Sequence, residues 1–126
     1  MEEIKVGEYF RDFDGNVDRI EFKMNTKSNR KLIGFQKRNY YLSENGLEKI
    51  VKKHSPNIID LIEIGDYVNG YKVLDVMENM NTGEIHLEMP MDYTNKELGD
   101  CTIYNKDIKS IVTKEQFANA EYRLED

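Results

Sequence analysis

The chain has 126 residues, with 18 Lys/Arg against 24 Asp/Glu for a net charge of −6, and a single cysteine. That length suits one ordinary domain or two very small ones. The negative charge argues against nucleic-acid binding spread over the whole surface, and a lone Cys101 excludes an internal disulfide and fits a reducing compartment. No apolar run approaches the ~20 residues that a spanning helix needs, and Met1-Glu2-Glu3 lacks the basic opening of a signal peptide, so the expectation is a cytoplasmic protein without membrane contact.

In chain order, Ile4 to Gly7 enters a predicted strand that turns at Asp12-Phe13-Asp14-Gly15-Asn16 and returns through Val17, Ile20 and Phe22. Leu32 to Phe35 and Tyr40 to Leu42 read as further strands from their apolar, β-branched and aromatic content. Leu47, Ile50 and Val51 have the spacing of a short amphipathic helix. Ser55-Pro56 then offers an N-cap with proline at the first helical position, and Ile58 to Ile64 follows as an extended stretch. Asn69-Gly70 between Val68 and Tyr71 is a strong tight-hairpin signal, because both central positions of a type I′ turn need positive φ. Ile85 to Met89 and Cys101 to Tyr104 are predicted strands, Thr113 to Gln116 is a capping box, and Ala120 to Leu124 is read as extended.

Two markers recur in the same order. Ile4-Lys5-Val6-Gly7-Glu8-Tyr9-Phe10 matches Ile62-Glu63-Ile64-Gly65-Asp66-Tyr67-Val68 in pattern, and Leu47 to Lys53 is echoed by Ile108 to Lys114. This points to a duplicated unit of about 60 residues. Each unit orders a hairpin, two further strands, a helical turn and a last strand, so the expected architecture is mainly β: two tandem SH3-like small barrels, residues 1–61 and 62–126, with a single α+β domain as the alternative. Charge divides along the same line. Residues 1–61 carry 12 Lys/Arg and 10 Asp/Glu, whereas residues 62–126 carry 6 and 14.

Enzyme chemistry has no motif behind it, and no cofactor or metal is expected. Asp12, Asp14, Asn16 and Asp18 resemble a Ca²⁺ loop only superficially, since the glycine falls fourth and Lys23 stands where a bidentate Glu is needed. Glu84, His86 and Glu88 alternate as on a strand face, which an ordinary half-buried strand explains. Cys101 has only His54 and His86 as bases in the chain, neither placed by a motif. Two surfaces stand out instead. Between Glu21 and Glu44 no acidic residue interrupts Lys23, Lys27, Arg30, Lys31, Lys37 and Arg38, and Phe35, Tyr40 and Tyr41 add aromatic faces. Cations for phosphates beside rings for bases are what small nucleic-acid or nucleotide modules use, and Lys27, Arg30, Lys31, Lys37, Arg38, Tyr40 and Tyr41 are the candidates. The second half offers the converse, an acidic and methionine-rich region in which Glu84, Glu88, Met89, Met91, Asp92, Tyr93 and Glu97 are the candidate contacts for a protein partner.

The segment from Lys53 to Gly70 (Lys53-His54-Ser55-Pro56-Asn57-Ile58-Ile59-Asp60-Leu61-Ile62-Glu63-Ile64-Gly65-Asp66-Tyr67-Val68-Asn69-Gly70) resembles a segment of small uncharacterised proteins common in phages and prophages of Firmicutes. Ile4 to Tyr9 and Ile108 to Phe117 are similar to the start and end of the same family. The resemblance implies a phage accessory product acting in the host bacterial cell, a class that often counteracts host defences including CRISPR systems, and it assigns no residues. The leading expectation is a non-enzymatic binding protein that inhibits a defence nuclease or its guide complex by steric and electrostatic occlusion. The alternative is a barrel module that binds nucleic acid or a nucleotide through Lys23 to Tyr41.

Overall fold

The computed structural model describes residues 3–93 and 100–120. The chain divides into two compact units, Met1–Leu61 and Ile62–Asp126. In the first, Lys5 to Glu8 form a turn instead of opening a strand. Gly7 takes φ +93°, and the Glu8 carboxylate folds back to accept the Lys5 backbone N–H at 2.5 Å. Strand β1 (Tyr9–Asp12) then pairs with β2 (Val17–Asn25) and, on its other side, with β4 (Val51–Ser55). The Asp-rich connection is a tight turn, in which Asp12 Oδ1 accepts the Asp14 and Asn16 N–H groups, both at 2.9 Å. Strand β3 (Lys31–Phe35) completes a sheet of order β3-β2-β1-β4. Ser43 Oγ caps helix α1 (Glu44–Ile50) through the Gly46 N–H, and Leu47 of that helix enters a core of Ile4, Phe10, Ile20, Ile33, Phe35 and Val51.

In the second unit the same opening recurs. Gly65 takes φ +94°, Asp66 Oδ2 accepts the Glu63 N–H at 2.7 Å, and Asp66 N–H donates to Glu63 O as Glu8 N–H does to Lys5 O. The cross-strand bonds match too: Gly7 N–H to Ile20 O and Ile20 N–H to Glu8 O correspond to Gly65 N–H to Val73 O and Val73 N–H to Asp66 O. Strand β5 (Tyr67–Val68) lies between β6 (Tyr71–Lys72) and β10 (Ile111–Val112), as β1 lies between β2 and β4. Asn69 at φ +53° and Gly70 at φ +85° form the tight turn that their sequence predicts. After β6, Val73 bonds back to Asp66 while Leu74 N–H donates to Glu88 O, so the chain passes from one sheet to the next. The second sheet is β7 (Asp75–Glu78), β8 (Ile85–Glu88) and β9 (Thr102–Tyr104). Its inner row, Val76, Leu87 and Ile103, packs inward, with Leu87 and Ile103 fully buried. Helix α2 (Lys114–Ala120) starts on the expected capping box, with Gln116 N–H donating to Thr113 Oγ1 and Thr113 N–H to Gln116 Oε1.

The fold is mainly β, in three small antiparallel sheets, and no closed barrel forms among the described residues. Helix α1 stands between β3 and β4, while β5, β6 and β10 are each two residues long. Three further local expectations differ. Of Tyr40 to Leu42 only Leu42 pairs, in an isolated bridge to Ile33. Ile58–Leu61 is a 3-10 turn rather than extended, because Ser55 Oγ caps Asn57 N–H and Asp60 N–H bonds to Asn57 O. Ala120 ends α2, and the rest of the predicted last strand lies outside the described residues. Among the described residues no helix is long and apolar enough to cross a membrane.

Candidate functional site

The structure sorts the cations of the first unit into two groups. Arg38 is internally committed: its guanidinium meets Asp12 Oδ2 at 2.6 Å and Asp18 Oδ2 at 3.7 Å and lies over the Phe10 and Phe35 rings. Asp18 also accepts the Lys37 and Arg38 backbone N–H groups, so the loop after β3 is clasped onto two buried carboxylates. Arg38 Nη1 donates to the Tyr40 hydroxyl as well. Arg38 is thereby removed from the predicted phosphate-binding set, since its charge is already neutralised within the unit. Lys23 is spent on Glu3 and Glu44. Lys27, Arg30, Lys31 and Lys37 are exposed and form no ion pair among the described residues. The first three surround the Thr26 to Arg30 turn, held by Arg30 N–H to Thr26 Oγ1 and by Asn29 at φ +63°. Lys37 lies at the opposite end of β3.

Strict period-two alternation along β2 would put Ile20, Phe22 and Met24 on one face, and the structure separates them. A bulge between Ile20 and Phe22 shifts the register, so that Ile20 stays opposite buried Phe35 while Phe22 comes opposite Gly34 and Met24 opposite Leu32. Phe22 therefore lies on the outer face, its ring covering Gly34 so closely that a Cβ there would sit 2.3 Å from the ring. Tyr41, on the far side of β3, meets Phe22 edge-to-face at 5.8 Å. The bulge carries no sequence motif, so alternation alone does not bring Phe22 and Met24 to the surface.

The acidic surface of the second unit also gains a member. On β7 and β8, Asp75 stands directly opposite Glu88, and both are exposed. Like charges at directly opposed positions destabilise a strand pair. Beside them runs a row of Met77, His86 and Tyr104, with the two rings 5.5 Å apart. Glu84, exposed, leads into β8 on the same alternation. Among the methionines, Met91 is 93 % exposed but Met89 only 2 %, so Met89 serves the core and not the surface. Asp92 is exposed, Tyr93 packs edge-on against Tyr71 at 5.1 Å, and Glu97 lies outside the described residues.

The titratable groups hold structure together. Burial by itself raises the Glu8 carboxyl, but the Lys5 N–H, the hydrogen bond from His54 at 3.2 Å and the nearby positive charges outweigh it and hold Glu8 below the ordinary carboxylate range. The Glu63 carboxylate, 2.8 Å from Lys114 Nζ, raises that ammonium above its usual value. Cys101 is half-buried, with its carbonyl accepting the Met89 N–H, and His54 is engaged with Glu8. Asp12, first of the superficial Ca²⁺ series, spends both oxygens on its own turn and on Arg38. No group of three or more His, Cys, Asp or Glu arranged to hold a metal occurs among the described residues. Comparison with family models, with curated proteins and with solved structures finds no match to this chain.

Proposed function

We propose that this protein is a non-enzymatic binding protein, a phage accessory product that inhibits a host defence nuclease or its guide complex by occupying a basic groove. The observation that carries this reading is the acidic face of β7 and β8, where Asp75 is set opposite Glu88 with Glu84 alongside and no cation pairs with them among the described residues. A fold that tolerates an unrelieved like-charge pair leaves that potential available to a basic partner, which relieves it on binding and is steered toward it. Exposed Met91 beside Asp92 supplies an adaptable apolar contact at the edge of such a surface. The matching turn and cross-strand bonds at Gly7 and Gly65 support reading each unit as an SH3-like module of one duplicated plan.

The test is capture of partners from a Firmicute host lysate on the tagged full chain, with nuclease treatment, compared with a variant carrying Asp75→Asn, Glu84→Gln and Glu88→Gln. The expected result is a stoichiometric nucleic-acid-processing protein that survives nuclease treatment, is lost with the variant, and whose cleavage activity is inhibited by the wild-type chain. Equal capture by the variant would sink the acidic-face mechanism.

A further inference from the structure

We infer that the outer face of β2 and β3 binds single-stranded nucleic acid, with Tyr41 and Phe22 as base platforms and Lys27 and Arg30 as phosphate ligands. The aromatic pair packs together on this face. Phe22 is seated over Gly34, where no side chain intervenes, and Tyr41, 56 % exposed, stands edge-on to it at 5.8 Å because its neighbour Leu42 bonds in both directions to Ile33. Met24 opposite Leu32 continues the same face toward the Thr26 to Arg30 turn, which carries Lys27 and Arg30, while Lys31, opposite Asn25, lies on the other face of the pair. Lys23, Arg38 and Arg19 are consumed within the unit, by Glu3 and Glu44, by Asp12 and Asp18, and by the Gly7 carbonyl and the Tyr9 ring. The two exposed cations of the turn, Lys27 and Arg30, thus lie at one end of the aromatic stripe, and a strand of five residues spans about 16 Å, the run of a few nucleotides.

Single strands are favoured over duplex for a physical reason. A protein with net charge −6 gains little from phosphates alone, so stacking must supply much of the affinity, and only unpaired bases offer their faces to a ring. Glu21, exposed next to the bulge, closes the other end of the stripe to phosphate and sets where the strand stops.

Fluorescence anisotropy of the full chain with labelled oligothymidylate and oligouridylate of about 12 nucleotides, against the corresponding duplex, tests the assignment. Both single strands are expected to bind and the duplex to bind at least tenfold more weakly. Tyr41→Ala should lose about tenfold in affinity, and Tyr41→Phe should retain it. Lys27→Ala with Arg30→Ala should weaken binding and flatten the salt dependence by about 0.7 in log–log slope for each phosphate that is no longer neutralised. The Lys27 and Arg30 variants alter only exposed side chains of the turn, so they report even if Tyr41→Ala perturbs folding. Absence of binding, equal affinity for duplex, unchanged affinity in Tyr41→Ala, or displacement by polyglutamate as effectively as by unlabelled oligonucleotide, which would mark an acidic protein as the ligand, would each overturn the proposal. Neutralising Asp75, Glu84 and Glu88 leaves these residues untouched, so failure here and failure of the acidic-face reading are separable.

Discussion

Arg38 illustrates how a charge that reads as a binding group becomes a structural one. Its guanidinium compensates Asp12 and Asp18, both nearly inaccessible, and covers Phe10 and Phe35 at the open end of the core. Arg38→Ala leaves two buried carboxylates without their cation and should destabilise the chain by about 3 kcal/mol, read as a lower urea midpoint. Lys37→Ala, which removes an exposed charge while its backbone N–H still bonds to Asp18, should leave that midpoint almost unchanged. Glu8 gives a pH signature of known sign. Its folded pKa lies below the unfolded value, so the stabilisation is fully present above the ordinary carboxylate value of about 4.3 and is lost as pH falls through the lower folded value. Acid titration of the melting temperature should therefore be shallower in Glu8→Gln than in wild type over that window, and identical slopes would refute the role given to Lys5 and His54.

At the scale of elements, the β5–β6 hairpin depends on one side chain. Asn69 adopts φ +53°, while its Oδ1 accepts the Lys109 and Ser110 N–H groups at 2.7 and 3.1 Å and its Nδ2 donates to Asp107 O at 2.9 Å. It thus sets both the turn and the position of the segment entering β10. Asn69→Ala loses these bonds and strains the backbone, and about 2–3 kcal/mol of destabilisation is expected. Asn69→Gly loses the bonds but relieves the strain, so its thermal midpoint should fall between Ala and wild type. An Ala variant as stable as Gly would mean that the positive φ costs nothing here. The β2–β3 pair shows an element decided by an irregularity: without the bulge after Ile20, Phe22 would join the core and the outer face would lose its ring.

Across the whole molecule, charge is partitioned. Residues 1–61 carry a slight excess of cations and residues 62–126 a large excess of anions, so one chain presents surfaces suited to opposite partners. With Lys27 and Arg30 at the β2–β3 turn, the salt slope for oligonucleotide binding should be only about −1.4, each phosphate contributing roughly 0.7. A slope near zero would refute phosphate binding at the turn, and one several times steeper would point to cations elsewhere.

The sequence by itself determined the local features whose chemistry is short-ranged: the Asn69-Gly70 turn, the Thr113–Gln116 capping box, the helix through Leu47 and Ile50 though not Val51, which opens β4, the Asx-rich turn at Asp12 and the mainly β character. Each follows from a residue's own dihedral preference or from partners within a few positions. The repeat of Gly7 and Gly65 is legible as a pattern, but its shared hydrogen bonding is not, because the acceptors Ile20 and Val73 stand at different distances along the chain. Tertiary structure alone decided which cations are free to act, which methionine is buried, that Asp75 faces Glu88, and that Phe22 turns outward. These depend on strand register and on a single bulge, and because side chains alternate with period two, one inserted residue reverses which face a ring or a charge occupies.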